Sequence, residues 1–108
     1  MSQLTGIFSA LSDPTRFAIV ERLLNEGELP AGAIQKGFAI SAPAISRHLG
    51  VLHDAGVVER RVNRQQRIYT VRPAALEEIS AWTMSHRNFW ESSLNRLEKA
   101  LLQEMNRK

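Results

Sequence analysis

Between residues 31 and 71 the hydrophobic pattern of this chain changes period once, and that change constrains the fold more than any other feature. Up to Gly56 the apolar residues recur at helical spacing. After it come two β-branched runs, 57–62 and 67–71, separated by the polar stretch Asn63-Arg64-Gln65-Gln66. The helical part holds a short segment, 31–36, followed by Gly37, where a left-handed residue would end a helix. Ser41 is placed to cap the next helix, and Pro43 sits in its first turn, where no backbone donor is needed. That helix extends to about Ala55, and Gly56 closes it. Two helices joined by a tight turn containing glycine are the signature of a helix-turn-helix. The β-branched runs read as a hairpin over 57–71 with an Arg-rich tip. No Asn-Gly or Asp-Gly pair marks its turn, so the turn type stays open.

The flanks are helical too. Leu4, Ile7, Phe8 and Leu11 repeat at helical spacing, which predicts a short amphipathic helix over 3–11. Ser12-Asp13-Pro14 is a helix start, with either Ser12 or Asp13 as the cap. The helix runs through Phe17, Val20, Leu23 and Leu24 and ends near Gly27. Pro73 opens a last helical region that continues to the end of the chain. Leu76, Ile79 and Trp82 form one stripe. Trp90, Leu94, Leu97, Leu101 and Met105 form another. The region is one long helix or two segments broken near residues 83–85. Trp82, Phe89 and Trp90 are most simply core and dimer-interface residues; the other reading is an aromatic pocket for a small organic effector between subunits. At 108 residues the chain reads as a single domain, mainly α with a β-hairpin wing. Its parts are an N-terminal dimerisation helix, 1–11, a core, 12–72, with the wing at 57–71, and a C-terminal dimerisation region, 73–108.

The net charge of +3 is unevenly placed. Residues 1–40 carry a net of −1, residues 41–72 a net of +4, and residues 73–108 a net of zero. A localised basic stretch is the electrostatic footprint of a nucleic-acid binder. Other classes recede. The chain has no cysteine, which removes disulfides, thiolate nucleophiles and thiolate metal sites. No nucleophile–base pair, paired carboxylates or phosphate-cradling glycine loop is present, so no enzyme is expected. No apolar run reaches the ~20 residues of a membrane span. The first residues lack the pattern of a secretory signal, and a cytoplasmic location follows by default.

On a wheel, Ile45, Leu49 and Leu52 fall on one side of the helix 41–55, and Pro43, Ser46, Arg47 and Gly50 on the other. An outer face of small residues with one arginine suits a helix entering a major groove, where Arg pairs with guanine and Ser with bases or phosphates. That face alone is also what an ordinary surface helix presents. The hairpin alters the balance. Arg60, Arg61, Arg64 and Arg67 cluster about its tip, and no acid occurs from Arg60 to Arg72. Arginine is suited to phosphate clamping and minor-groove insertion. The candidate DNA contacts are therefore Ser41, Ala42, Pro43, Ser46, Arg47 and His48 on the helix, and Arg61, Asn63, Arg64, Gln65 and Arg67 on the wing. The candidate dimer contacts are Leu4, Ile7, Phe8, Trp90, Leu94, Leu97 and Leu101.

Residues 9–72 resemble the winged-helix core of the ArsR-type bacterial repressors. The strings that carry the resemblance are Leu11-Ser12-Asp13-Pro14-Thr15-Arg16, Ser41-Ala42-Pro43-Ala44-Ile45-Ser46-Arg47-His48-Leu49, and Val51-Leu52-His53-Asp54-Ala55-Gly56-Val57-Val58-Glu59-Arg60-Arg61. Phe89-Trp90-Glu91 and Leu94-Asn95-Arg96-Leu97-Glu98 resemble the tail of one branch. The resemblance implies a homodimer, an operator that overlaps a promoter, and often an inducer that releases the DNA. The function it implies is a sequence-specific regulator of transcription, a repressor on an inverted-repeat operator. The alternative is a winged-helix protein-interaction module without DNA contact. The chain departs from the best-known members, which sense metals through a cysteine pair or through Asp/His clusters on the last helix. Here the last region offers His86, with Glu91 five residues on and so on another face. The resemblance is therefore to a cysteine-free, non-metal-sensing branch, with no cofactor expected. The wing also lacks the family's acidic-glycine turn.

Overall fold

Caps fix where the helices begin. The structure, a computed structural model, describes residues 3–107. The elements are α1 (Leu4–Leu11), α2 (Pro14–Glu26), β1 (Leu29–Pro30), α3 (Ala31–Lys36), α4 (Ala42–Asp54), β2 (Val58–Asn63), β3 (Gln66–Val71), α5 (Pro73–Ser85) and α6 (Arg87–Met105). Asp13 caps α2, its carboxylate accepting from the Arg16 amide at 3.0 Å. Ser12 instead donates its hydroxyl back to the Ser9 carbonyl at 2.7 Å. Ser41 caps α4 by accepting from the Ala44 amide at 3.3 Å. Gly27 (φ 82°) and Gly56 (φ 78°) follow α2 and α4 in backbone that side-chain-bearing residues rarely adopt.

Gly37 is different. Its place after α3 predicts a left-handed conformation, but its φ is −84°. The turn closes instead by hydrogen bonds from Gly37 N–H to Ile34 O and from Phe38 N–H to Gln35 O, both 3.1 Å. A Cβ here would stand 2.5 Å from Nη1 of Arg22. That guanidinium donates to the Ile34 carbonyl at 3.0 Å and satisfies the end of α3.

The wing is larger than a hairpin. β1 pairs antiparallel with β3 and makes a three-stranded sheet of order β1-β3-β2. Pro30 is tolerated because β1 is an edge strand. Asn63 pairs with Gln66, which leaves Arg64 and Gln65 as a two-residue turn. Arg64 has φ 61°, a positive φ at the first central position, where a type II′ connection uses glycine.

The chain forms two compact units, Met1–Glu78 and Ile79–Lys108. The first holds the core. α4 contributes Ile45, Leu49 and Leu52, at most 1% exposed, and Ile19, Val20 and Leu23 of α2, Ile34 of α3, and Val58, Tyr69 and Val71 of the sheet are buried as well. Ile7 of α1 also belongs to this core at 1% exposure, so the expectation that it faces a dimer partner is corrected. A side chain already enclosed by its own protomer has no surface left to offer.

The second unit holds the end of α5 and α6. The helices break at His86, whose backbone (φ −107°, ψ 29°) leaves the helical range. Side chains compete for the carbonyls just before the break: Thr83 Oγ1 donates to Ile79 O at 3.0 Å and Ser85 Oγ to Trp82 O at 2.7 Å. None of the residues of α6 is buried.

Candidate nucleic-acid interface

The core decides which side of α4 is free. Ile45, Leu49 and Leu52 are consumed, and Ser41, Ala42, Pro43, Ser46 and Arg47 are left exposed. His48 falls between the two sides. Its Nδ1 is 3.5 Å from Arg16 Nη1 and 3.9 Å from the Asp13 carboxylate. Arg16 also donates from Nε to the Ala10 carbonyl at 2.6 Å. The string Asp13-Pro14-Thr15-Arg16 thus ties the end of α1, the start of α2 and the middle of α4 together. The Arg16 amide bonded to Asp13 holds that carboxyl below its ordinary range, with His48 and the Arg16 charge adding to the effect against desolvation.

Register sorts the wing arginines by face. Residues directly opposite each other across a pair project to the same side. Arg60 lies opposite Tyr69, and Val62 opposite Arg67. These share the side of Tyr69, which with Arg67 lines a cleft of about 120 Å³ with Ala42 and Ser46 of α4. Arg61 lies opposite Ile68, on the other side. There Glu28 holds it at two points, Nη2 to Oε1 at 2.6 Å and Nε to Oε2 at 3.3 Å. The Arg61 hydrogen bond keeps the Glu28 carboxyl low, and Glu28 in turn raises Arg61. Arg72 has Glu59 at 3.8 Å. By contrast Arg47, Arg60, Arg64, Arg67 and Lys36 have no carboxylate within 4.0 Å among the described residues.

The structure therefore brings Ala42, Ser46 and Arg67 together, sets Asn63, Arg64 and Gln65 at the wing tip, and puts Arg61 on the opposite face. Arg60, absent from the candidate contacts, joins the free set. The alternation from buried Val58 through Arg60 to Val62 is the signal that could have found it. Nothing linear marks Lys36.

On α6, Trp90, Leu94, Leu97 and Leu101 are 46–63% exposed and form one stripe, and Phe89 stands edge-on to Trp90 with ring centroids 5.2 Å apart. Phe8 of α1 is exposed and Leu4 half-buried. Among the described residues no group of three or more His, Asp or Glu is placed to hold a metal ion, and no helix is long and apolar enough to cross a membrane.

Comparison with known proteins agrees with this geometry. Residues 11–61 match a family described as a helix-turn-helix domain. The chain is 34% identical over 91 residues to the transcriptional repressor SdpR of Bacillus subtilis, an alignment that covers 84% of this chain and 100% of that one. A crystal structure of an ArsR family transcriptional regulator superposes with a TM-score of 0.76 at 30% identity, over 83% of this chain and 98% of that one. The crystal structure of the transcriptional repressor BigR from Xylella fastidiosa gives a TM-score of 0.60 at 35% identity, over 71% and 79%. The chain belongs to the ArsR family of helix-turn-helix transcriptional regulators.

Proposed function

We propose that the protein represses transcription by binding an inverted-repeat operator as a homodimer. α4 enters the major groove with Ser46 and Arg47 nearest the bases, and the start of the helix, Ser41, Ala42 and Pro43, lies close to the sugar–phosphate backbone. Arg60, Arg64 and Arg67, with Asn63 and Gln65, reach phosphates or the flanking minor groove. The observation that carries the reading is the sorting of the arginines. Those on or next to the α4 side of the wing have no carboxylate within 4.0 Å among the described residues, whereas Arg61 is held by Glu28 and Arg72 has Glu59 at 3.8 Å. A protein-interaction surface has no need of that segregation, but a polyanion ligand does. On this reading Arg61 supports the wing through Glu28 rather than touching DNA, and Arg60 takes its place. His48 contributes by holding α4 to Arg16.

Dimerisation rests on the exposed stripe of α6. A second copy covers Trp90, Leu94, Leu97 and Leu101 of α6, and Leu4 and Phe8 of α1 also serve pairing. The segments 1–11 and 73–108 then serve pairing, and 12–72 serves DNA. The protein works in the cytoplasm beside the chromosome, with no cofactor and no catalytic step.

Selection of binding sites from randomised duplexes tests the reading. The expected product is an inverted repeat with half-sites about 10 bp apart or a multiple of that, because a two-fold dimer sets its two recognition helices in successive major-groove faces. Failure to enrich any sequence, with no salt-dependent duplex binding, would leave the protein-interaction module as the better description.

A further inference from the structure

Between α3 and the wing tip runs a groove of about 570 Å³ whose walls include Gly32 and Lys36 on one side and Gln65, Gln66 and Arg67 on the other. No acidic residue lines it. Two of these side chains are cations with no carboxylate within 4.0 Å among the described residues. Two more are carboxamides able to donate N–H groups. A side chain added at Gly32 would meet nothing within 4 Å, so the α3 wall is open to whatever approaches. Arg67 also lines the smaller cleft with Ala42 and Ser46 of α4, so one side chain joins the groove to the face proposed to read bases.

We propose that this groove seats the sugar–phosphate strand that flanks the bases read by α4, with Lys36 as a phosphate ligand. The inference rests on the DNA-binding reading above. A compact ammonium on one wall and a guanidinium on the other bracket a phosphodiester, and the carboxamides supply neutral donors between them. The ligand is a polyanion held elsewhere along its length rather than a free phosphate. No polar or charged residue of the protein is buried, among those described, so the groove has no desolvated donors with which to grip a small ion alone. A strand already anchored by α4 and the wing arrives at high effective concentration and needs no such grip.

The test compares wild type with Lys36→Gln on a duplex obtained by selection, at several salt concentrations, with Lys99→Gln on α6 as a control for loss of charge. Lys36 is exposed, so the variant should unfold thermally as wild type does. The expected result for Lys36→Gln is a log affinity less steep in log salt by about 0.9 for each phosphate no longer neutralised, twice that in a two-fold complex, with the cognate-to-scrambled ratio unchanged. Lys99→Gln should keep the wild-type slope. Neutral methylphosphonates placed one at a time along the duplex should weaken wild type at a backbone position in each half-site where Lys36→Gln is no longer affected. If wild type binds the duplex but Lys36→Gln keeps both the wild-type slope and the wild-type methylphosphonate profile, the groove proposal falls and the DNA-binding reading stands. If wild type shows no salt-dependent duplex binding, both fall.

Discussion

Arg47 is the only arginine on α4, and its outward position makes it the side chain whose loss should change which sequence is bound. Arg47→Ala should cost roughly 1–3 kcal/mol on the selected duplex and shrink the cognate-to-scrambled ratio. Titrations on both duplexes measure this. Arg64 should behave otherwise, because it carries a positive charge and an unfavourable φ of 61° at once. Arg64→Gly should relieve about 1–2 kcal/mol of backbone strain and raise stability in urea, while making DNA affinity less steep in salt. Arg64→Lys should keep most of the salt slope and none of the gain in stability. The acidic residues set the behaviour at low pH. Asp13 is held below its ordinary range by the Arg16 amide, so the unfolded chain takes up its proton first as pH falls. Its contribution is complete above the unfolded value and disappears as pH drops through the lower folded one. Asp13→Asn keeps a capping acceptor but cannot titrate, so the stability profile between roughly pH 5 and 3 should flatten. Urea unfolding across that range checks it. The division of the arginines could not be seen in the linear chain. Glu28 and Arg61 are 33 positions apart, and nothing local announces that the two will meet.

At the scale of elements, α4 depends on one buried seam and one cap. Leu49 is fully buried, and Leu49→Ala should destabilise the protein by about 2–5 kcal/mol, measured by denaturant unfolding. Ser41→Ala removes the side chain that accepts from Ala44 and should cost about 1 kcal/mol. These elements were legible because their signals are local. Ser41 with Pro43, Asp13 with Pro14, and glycine after the last turn mark the ends of α2 and α4, and the helical period marks what is buried. The break between α5 and α6 was legible as a choice, since Thr83 and Ser85 can bond carbonyls one turn back. β1 was not legible. Two residues carry no period, and Leu29 and Pro30 become a strand only because Tyr69 and Ile68 lie opposite them. Gly37 misled because its backbone keeps a negative φ and the turn closes through the Ile34 and Gln35 carbonyls instead.

At the scale of the molecule, α6 is the element that its own chain does not explain. It has 19 residues and none buried, whereas most helical stability in proteins comes from packing an apolar face. On the proposed pairing its apolar stripe is the dimer seam, and Leu97→Glu should yield monomer or unfolded chain because it places an unpaired charge there. Sedimentation at micromolar concentration checks this, and a wild-type monomer would overturn the pairing. Chelators should change neither folding nor DNA affinity, because the chain has no cysteine and His86 stands with Ser85 and the Trp82 carbonyl rather than among carboxylates. A zinc-dependent shift in affinity would contradict that. On the proposed pairing, a helix with no buried residue of its own also makes dosage part of the mechanism. Where stability comes from a second copy, the fraction of chains competent to act rises with their own concentration. Below saturation, promoter occupancy would then climb more steeply than in proportion to the protein made. Below saturation of the operator, halving the supply would then remove more than half the occupancy, so gene copy number would join operator strength in setting the threshold at which the controlled genes turn on.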